Sequence, residues 1–316
     1  MKYFGSWLKV LLLCGMFAAA GGLMASIPPA HAADNSSGDN VQLTLSPTSV
    51  HVDLHPGAAK TGEFKVVNSG SRPFTVKVYA APYRVTDEDY NPAFTGGGAQ
   101  TQISRWIKFS QNEYVLEPNQ VVTIRYTINV PRDIPAAGQY AAIFAETTGD
   151  EDRGGTVITK KRVGMIVYGK TEGGSTRQSG ELASIDTPWW QQQAPLTAKL
   201  RAKNSGNTDF TVKSKLIVKD FFSGATIHQT AETEHAVLPS TTRAIPLEWD
   251  GARVGLYNVE LRIDMLGNSQ TIQRTVLLMP AWMFAAVIIL TLTLVGGATY
   301  ALVKKLRAKK KKIRLG

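Results

Sequence analysis

Between Val41 and Met279 the chain alternates apolar and polar residues in short runs. "VQLTL", "SVHVDL", "GEFKVVNSG", "FTVKVYAAPY", "VVTIRYTINVP", "QYAAIFAET" and "RVGMIVYGK" make up the first half. Most place Val, Ile, Leu, Phe or Tyr at every second position, which sets them on one face of a β-strand. Gly, Pro, Asn and Ser stand between the runs, where turns are needed. The only helical spacing before Lys170 is in "QISRWIKF", where Ile103, Trp106 and Ile107 predict one short turn. "KTEGGSTRQSGE", without a large apolar residue, marks a boundary. The alternation then resumes in "LTAKLRAKNSG", "FTVKSKLIVKDF", "TIHQTAETE", "RAIPLEW", "LYNVELRIDM" and "SQTIQRTVLLM".

The two halves share a phrase. "NSGSRPFTVK" begins at Asn68 and "NSGNTDFTVK" at Asn204, with seven of ten positions identical. Each copy predicts a strand ending, a turn at Asn-Ser-Gly, and a new strand with Phe and Val facing the core. Two further parallels follow in the same order. "LEPNQVVTI" matches "LPSTTRAIPL", and "AAGQYAAIF" matches "RVGLYNVEL", each of the latter pair entering a strand through Gly-x-Tyr. A Tyr at that place is similar to the tyrosine corner of Ig-like sandwiches. The pattern predicts a mainly β protein of two tandem Ig-like β-sandwich domains, residues 41–170 and 182–279, joined by a linker over 171–181.

The ends differ from this body. Lys2 and Lys9, an apolar run to about Ala25 and an A-x-A site at Ala30-His31-Ala32 form a secretory signal peptide over residues 1–32. An uncleaved anchor is the alternative. The polar residues 33–40 are expected to be flexible. Cys14, the chain's one cysteine, lies in the signal, so disulfide and thiol chemistry are not expected of the mature protein. Residues 281–303 form 23 positions without a charge, long enough for a transmembrane α-helix. Trp282 and Tyr300 near its ends are expected as interface anchors, followed by Lys304 and Lys305. The tail, residues 304–316, holds eight Lys or Arg and no acid, which predicts a cytoplasmic C-terminus and an extracellular body.

That distribution changes the meaning of the net charge of +10. Ten of the 35 basic residues lie in the signal and the tail, which leaves 25 against 25 acidic residues in the exported part. No excess of cations remains there for nucleic acid. The basic tail suits anionic inner-leaflet lipid.

Candidate chemistry is sparse. His51, Asp53 and His55 share one strand face and could hold zinc, or simply form a polar face. Asp87-Glu88-Asp89 and Asp150-Glu151-Asp152 could bind calcium but lack its loop spacing, and are read as solvated hairpin tips. No nucleophile elbow, phosphate-binding loop or zinc-protease helix occurs. No catalytic residue, cofactor or metal is assigned, and an enzyme is not expected. "PWWQQQAP" is the most unusual stretch. Trp189, Trp190 and Gln191 could form a sugar-stacking platform. The plainer expectation points the two Trp to opposite faces, one into the second core and one into the interdomain seam.

The first half, with "LSPTSVHVDLHPG", "KVVNSGSRPFTVKV", the acidic-aromatic hairpin "VTDEDYNPAF", "LEPNQVVTIRYTINVP" and "GQYAAIF", resembles the N-terminal domain of the WxL-interacting protein family of Gram-positive bacteria. The order of signal, two β domains, one span and a basic tail resembles that family over the whole mature chain. The resemblance implies peptidoglycan binding by the first domain and binding of a surface protein by the second. The function expected is that of a single-pass adaptor at the bacterial cell surface. The alternative is a membrane-anchored assembly chaperone or secretion accessory acting by β-strand addition.

Overall fold

The computed structural model describes residues 42–134, 137–148, 160–171 and 176–313. The signal-peptide site, Cys14, the flexible N-terminus and the acidic stretch Asp150–Asp152 lie outside the described residues.

The first domain runs through β1 (Leu43–Ser46), β2 (Ser49–Leu54), β3 (Ala59–Asn68), β4 (Phe74–Pro82), β5 (Arg84–Val85), β6 (Pro92–Ala93), α1 (Ile103–Trp106), β7 (Ile107–Phe109), β8 (Glu113–Leu116), β9 (Val121–Asn129), β10 (Gly138–Thr147) and β11 (Arg162–Thr171). One sheet has the order β1-β3-β9-β7 and the other β2-β11-β10-β4-β8. Alternation sets the faces. In β9 the buried residues Ile124, Tyr126 and Ile128 fall two apart, as the pleat requires. They meet Phe64, Val66, Val76, Ile143 and Met165 between the sheets. Each large side chain so enclosed contributes about 1.5–3 kcal/mol relative to exposure. The helical turn α1 closes one end, with Ile103, Trp106 and Ile107 all buried.

The second domain comprises β12 (Gly180–Asp186), β13 (Trp190–Gln191), β14 (Leu196–Asn204), β15 (Phe210–Asp220), β16 (Thr226–Gln229), β17 (Thr233–Val237), β18 (Thr242–Trp249), β19 (Gly255–Met265) and β20 (Asn268–Leu278). Its sheets are β12-β14-β18 and β13-β20-β19-β15-β16, with β17 also on β15. This is the first domain's wiring again. In both, the first strand is split by a proline, and its second piece joins the other sheet in parallel, β2 on β11 and β13 on β20. The fold is therefore two Ig-like β-sandwiches in tandem. Pro246 lies within β18, tolerated because β18 is an edge strand. "TIHQTAETE" is two strands and not one, because Thr230 breaks the run: its amide donates to Leu216 O and its Oγ accepts from Leu216 N.

The shared phrase has a physical cause. Asn68 and Asn204 are both fully enclosed, 0% and 1% exposed. Asn68 Nδ2 donates to Arg72 O (2.7 Å) and Leu116 O (3.1 Å), and its Oδ1 accepts from Gly70 N (2.9 Å). Asn204 Nδ2 donates to Thr208 O (2.9 Å) and Val237 O (2.7 Å), and its Oδ1 accepts from Gly206 N (2.8 Å). Each Asn thus ties its own turn to the strand end before a second, Pro-containing turn. That second turn also repeats, with Asn119 and Ser240 at φ 62° and 60°.

β20 leads through Met279 and Pro280 into α2 (Ala281–Ile313). Its segment Ala281–Leu306 is long and apolar enough to cross a membrane. Trp282, Tyr300, Lys304 and Lys305 are exposed along it.

Asn68→Ala and Asn204→Ala should each cost about 2–3 kcal/mol, because three backbone groups lose a buried partner. Asp at either place should give no rescue, since it cannot donate to the two carbonyls. Urea unfolding of the purified chain measures this, and a shift no larger than that of an exposed Asn→Ala control would refute the role.

Candidate functional site

The strand β10 is buried along nearly its whole length on both faces. Ala141, Ile143 and Ala145 point into the sandwich, which leaves Tyr140, Ala142 and Phe144 on the outer face. A sheet face carrying such residues needs a cover. Two elements provide it. The β5–β6 hairpin brings Tyr83, Tyr90 and Phe94, and the second domain brings Leu238. Phe94 meets Phe144 edge-on at 4.8 Å, and Tyr168 stands edge-on to Tyr140 at 6.0 Å. This layer is the seam between the domains.

Tyr140 is its polar centre. Its hydroxyl donates to Asp209 Oδ1 (2.9 Å) and accepts from Asp209 N (2.9 Å). Gly138 N donates to Asn207 O across the same junction (2.8 Å). A Cβ at Gly138 would run into the Tyr140 hydroxyl, so glycine is required where this ring folds back. Burial, and then the Asp209 carboxylate, push the Tyr140 phenol well above its ordinary value. The matching Tyr257 behaves differently. Its hydroxyl donates to Arg253 O (2.7 Å), four residues back, as a tyrosine corner does. The first domain has turned the same ring towards its neighbour.

The hairpin tip makes the second contact. Of Asp87-Glu88-Asp89, expected as a solvated tip, Asp87 and Asp89 are exposed, while Glu88 is half-buried and held by the other domain. Glu88 forms a two-pronged ion pair with Arg201, with Arg201 Nε 2.7 Å from Oε2. Glu88 O accepts from Ala244 N (2.7 Å). Asp89 lies 3.8 Å from Lys199. Tyr90 OH accepts from Leu238 N (2.7 Å) and meets Thr241 Oγ1 (2.6 Å), while Arg243 stacks over its ring at 4.2 Å. The Arg201 hydrogen bonds hold Glu88 below the usual carboxylate range.

The other residues singled out in the sequence fall as follows. His51 stacks on Tyr168 at 4.8 Å, with Nε2 3.7 Å from Asp209. His51, Asp53 and His55 do not gather into a metal site, and no group of three or more possible ligands exists among the described residues. The linker's residues from Thr176 are pinned rather than loose, with Arg177 N donating to Asn207 Oδ1 and Gln178 Nε2 to Asp209 O. Trp189 and Trp190 enter neither the second core nor the seam. Trp190 Nε1 donates to Met279 O (2.8 Å), and its ring stacks on Phe284 of α2 at 4.9 Å. Gln191 is buried, with its amide hydrogen-bonded to Thr197. The short parallel pairing of β13 with β20 draws this stretch to the foot of the second domain.

Comparison with known proteins assigns neither a family nor a function. No family model matches the sequence, and no curated protein matches it. Solved structures do resemble the chain in outline. They include the class 5 fimbriae chaperone CfaA, at 12% identity and TM-score 0.37, over 75% of this chain and 99% of that one. The E. coli chaperone DraB matches at 11% and 0.38, over 74% and 98%. A Salmonella enterica SafA pilin–SafB chaperone structure matches at 15% and 0.37, over 75% and 97%. At these values the likeness bears on neither activity nor partners.

Sequence reasoning missed the pairing of Tyr140 with Asp209 and of Glu88 with Arg201. A signal was present in the repeat. The copies differ at Ser71/Asn207, Arg72/Thr208 and Pro73/Asp209, and two of the three second-copy residues hold the seam.

Tyr140→Phe should destabilise the chain by about 1–3 kcal/mol, because Asp209 stays buried without its partner. Added interdomain motion should appear as faster amide exchange in residues 204–209. The seam also has a pH window. Tyr140 is raised, so its contribution is present below the ordinary 10.0 and lost as pH climbs through the folded-state value. Glu88 is lowered, so its contribution is present above the ordinary 4.5 and lost as pH falls through the folded-state value. Small-angle scattering across this range should show the body loosening at both extremes and unchanged between them.

Proposed function

We propose that this chain is a single-pass membrane protein of the bacterial cell surface that binds and spaces without performing chemistry. The observation that carries the proposal is the seam combined with the joint below it. Tyr140–Asp209 and Glu88–Arg201 fasten the two sandwiches, and only Met279 and Pro280 separate β20 from α2. Such a body holds a binding surface at a set height above a bilayer. In this reading α2 crosses the membrane and the basic tail is cytoplasmic, following the distribution of Lys and Arg. The resemblance to the WxL-interacting protein family supplies the two ligands: peptidoglycan for the first domain, a surface protein for the second.

One observation favours a second reading, strand addition as an assembly chaperone. Among the described residues β8 stands at a sheet edge, with Val115 exposed on it. An open edge can accept a strand from another protein.

Co-sedimentation of the soluble body, Ala33 to Met279, with purified peptidoglycan separates the two. The first reading expects the body to pellet with the wall. Failure to pellet, together with a stable complex of the body and a β-rich client, would leave strand addition as the function.

A further inference from the structure

The exposed aromatic rings of the two sandwiches gather at one end. Among the described residues of the β domains they are Trp189 (63% exposed), Phe221 and Phe222 (85% exposed). Register shows that all three lie at the end from which α2 departs. Asp220 lies opposite Tyr257, and Gly255 opposite Leu278, so β15 and β20 run towards the same end. Phe221 N donates to Leu256 O (3.3 Å), one position from that end of β19. Leu277 N donates to Trp189 O (2.7 Å). The exposed Val254, in the turn before β19, and Trp282 (72% exposed), in the first turn of α2, belong to the same end.

The Phe tip is a built turn. Asp220 Oδ1 accepts from Phe222 N (3.1 Å), Ser223 N (2.8 Å) and Ser223 Oγ (2.8 Å), and Gly224 takes φ 68°. The two Phe rings meet edge-on at 5.3 Å. The fold therefore devotes a fixed turn to presenting an apolar ring outward. Asp220 stands level with Val276, five residues before the helix begins, and the turn carries Phe221 and Phe222 onward from there. At about 3.3 Å per strand residue this is within reach of the headgroup layer.

We infer that this end of the second domain is a membrane-contact face, with Phe222, Phe221 and Trp189 seated in the lipid headgroup layer beside the span. The inference rests on the reading of α2 as a span. Continuity with α2 selects lipid over a protein partner: Trp190 packs on Phe284, so the span's first turn and the aromatic end share one surface. The amphipathic ring of Trp189 favours this layer, and the wholly apolar rings of Phe221 and Phe222 suit the boundary between headgroups and acyl chains. Two separate segments beside the span, the Phe221–Phe222 turn and the stretch at Trp189, would fix the tilt of the body, which a single helix cannot.

The test uses the full chain in a Cys14→Ser background, in vesicles of equal parts phosphatidylcholine and phosphatidylglycerol. A polarity-sensitive fluorophore is attached at Phe222→Cys, Trp189→Cys, Leu290→Cys or Val115→Cys, all exposed positions. Quencher lipids carry a doxyl group either near the headgroup or deep in the chain. The expected result is blue-shifted emission at 222 and 189, lost to the shallow quencher, emission at 290 lost to the deep one, and no change at 115. Quenching at 290 without quenching at 222 or 189 overturns the contact face and spares the span. No quenching at 290 overturns the span and the contact face with it. Quenching at 115 as strongly as at 222 overturns the assignment to this end, because the body then lies along the bilayer.

Discussion

A buried phenol shared between two domains sets the form of this protein. The Tyr140 hydroxyl gives a hydrogen bond to the Asp209 side chain and takes one from its amide. The domain contact buries both partners, so parting the domains breaks the pair and bares the apolar outer face of β10 to water. The need for it arises one level down. β10 has apolar residues on both faces, and a sandwich can enclose only one of them. The second face must be roofed, and the roof is made from a hairpin of the same domain and the edge of the next. The domains are for this reason not independent beads.

The repeat shows how one turn serves two ends. Seven shared positions build the turn itself. An enclosed Asn ties three backbone groups, and Phe and Val begin the next strand. The three positions that differ are released for other roles. In the first copy Pro73 occupies the place before the Phe; in the second Asp209 stands there and reaches Tyr140. Similar foldability and different adhesion can be written into the same ten residues because the two demands use different side chains.

What could be seen in the sequence follows from distance along the chain. Alternation in "VVTIRYTINVP", the spacing of Ile103, Trp106 and Ile107, and the doubled Asn-Ser-Gly turn are local, and their elements form where the pattern puts them. The seam joins residues 69, 113 and 148 positions apart, and no periodicity encodes such a pairing. For the same reason Glu88 is not told apart from its solvated neighbours Asp87 and Asp89: a charge looks the same in sequence whether it meets water or Arg201. The place of Trp189 and Trp190 escapes the sequence because a two-residue parallel pairing with β20 sets their surroundings, and that pairing is too short to leave a pattern.

The joint below the second domain has a mechanical meaning. β20 passes into α2 through two residues, one of them proline, and Trp190 is hydrogen-bonded to Met279 O and stacked on Phe284 on either side of it. A slack tether would let a sideways pull on the outer domain dissipate as swivelling. Here the contacts on either side of Pro280 couple the direction of β20 to that of α2, so that a load on the first domain would reach the helix as torque.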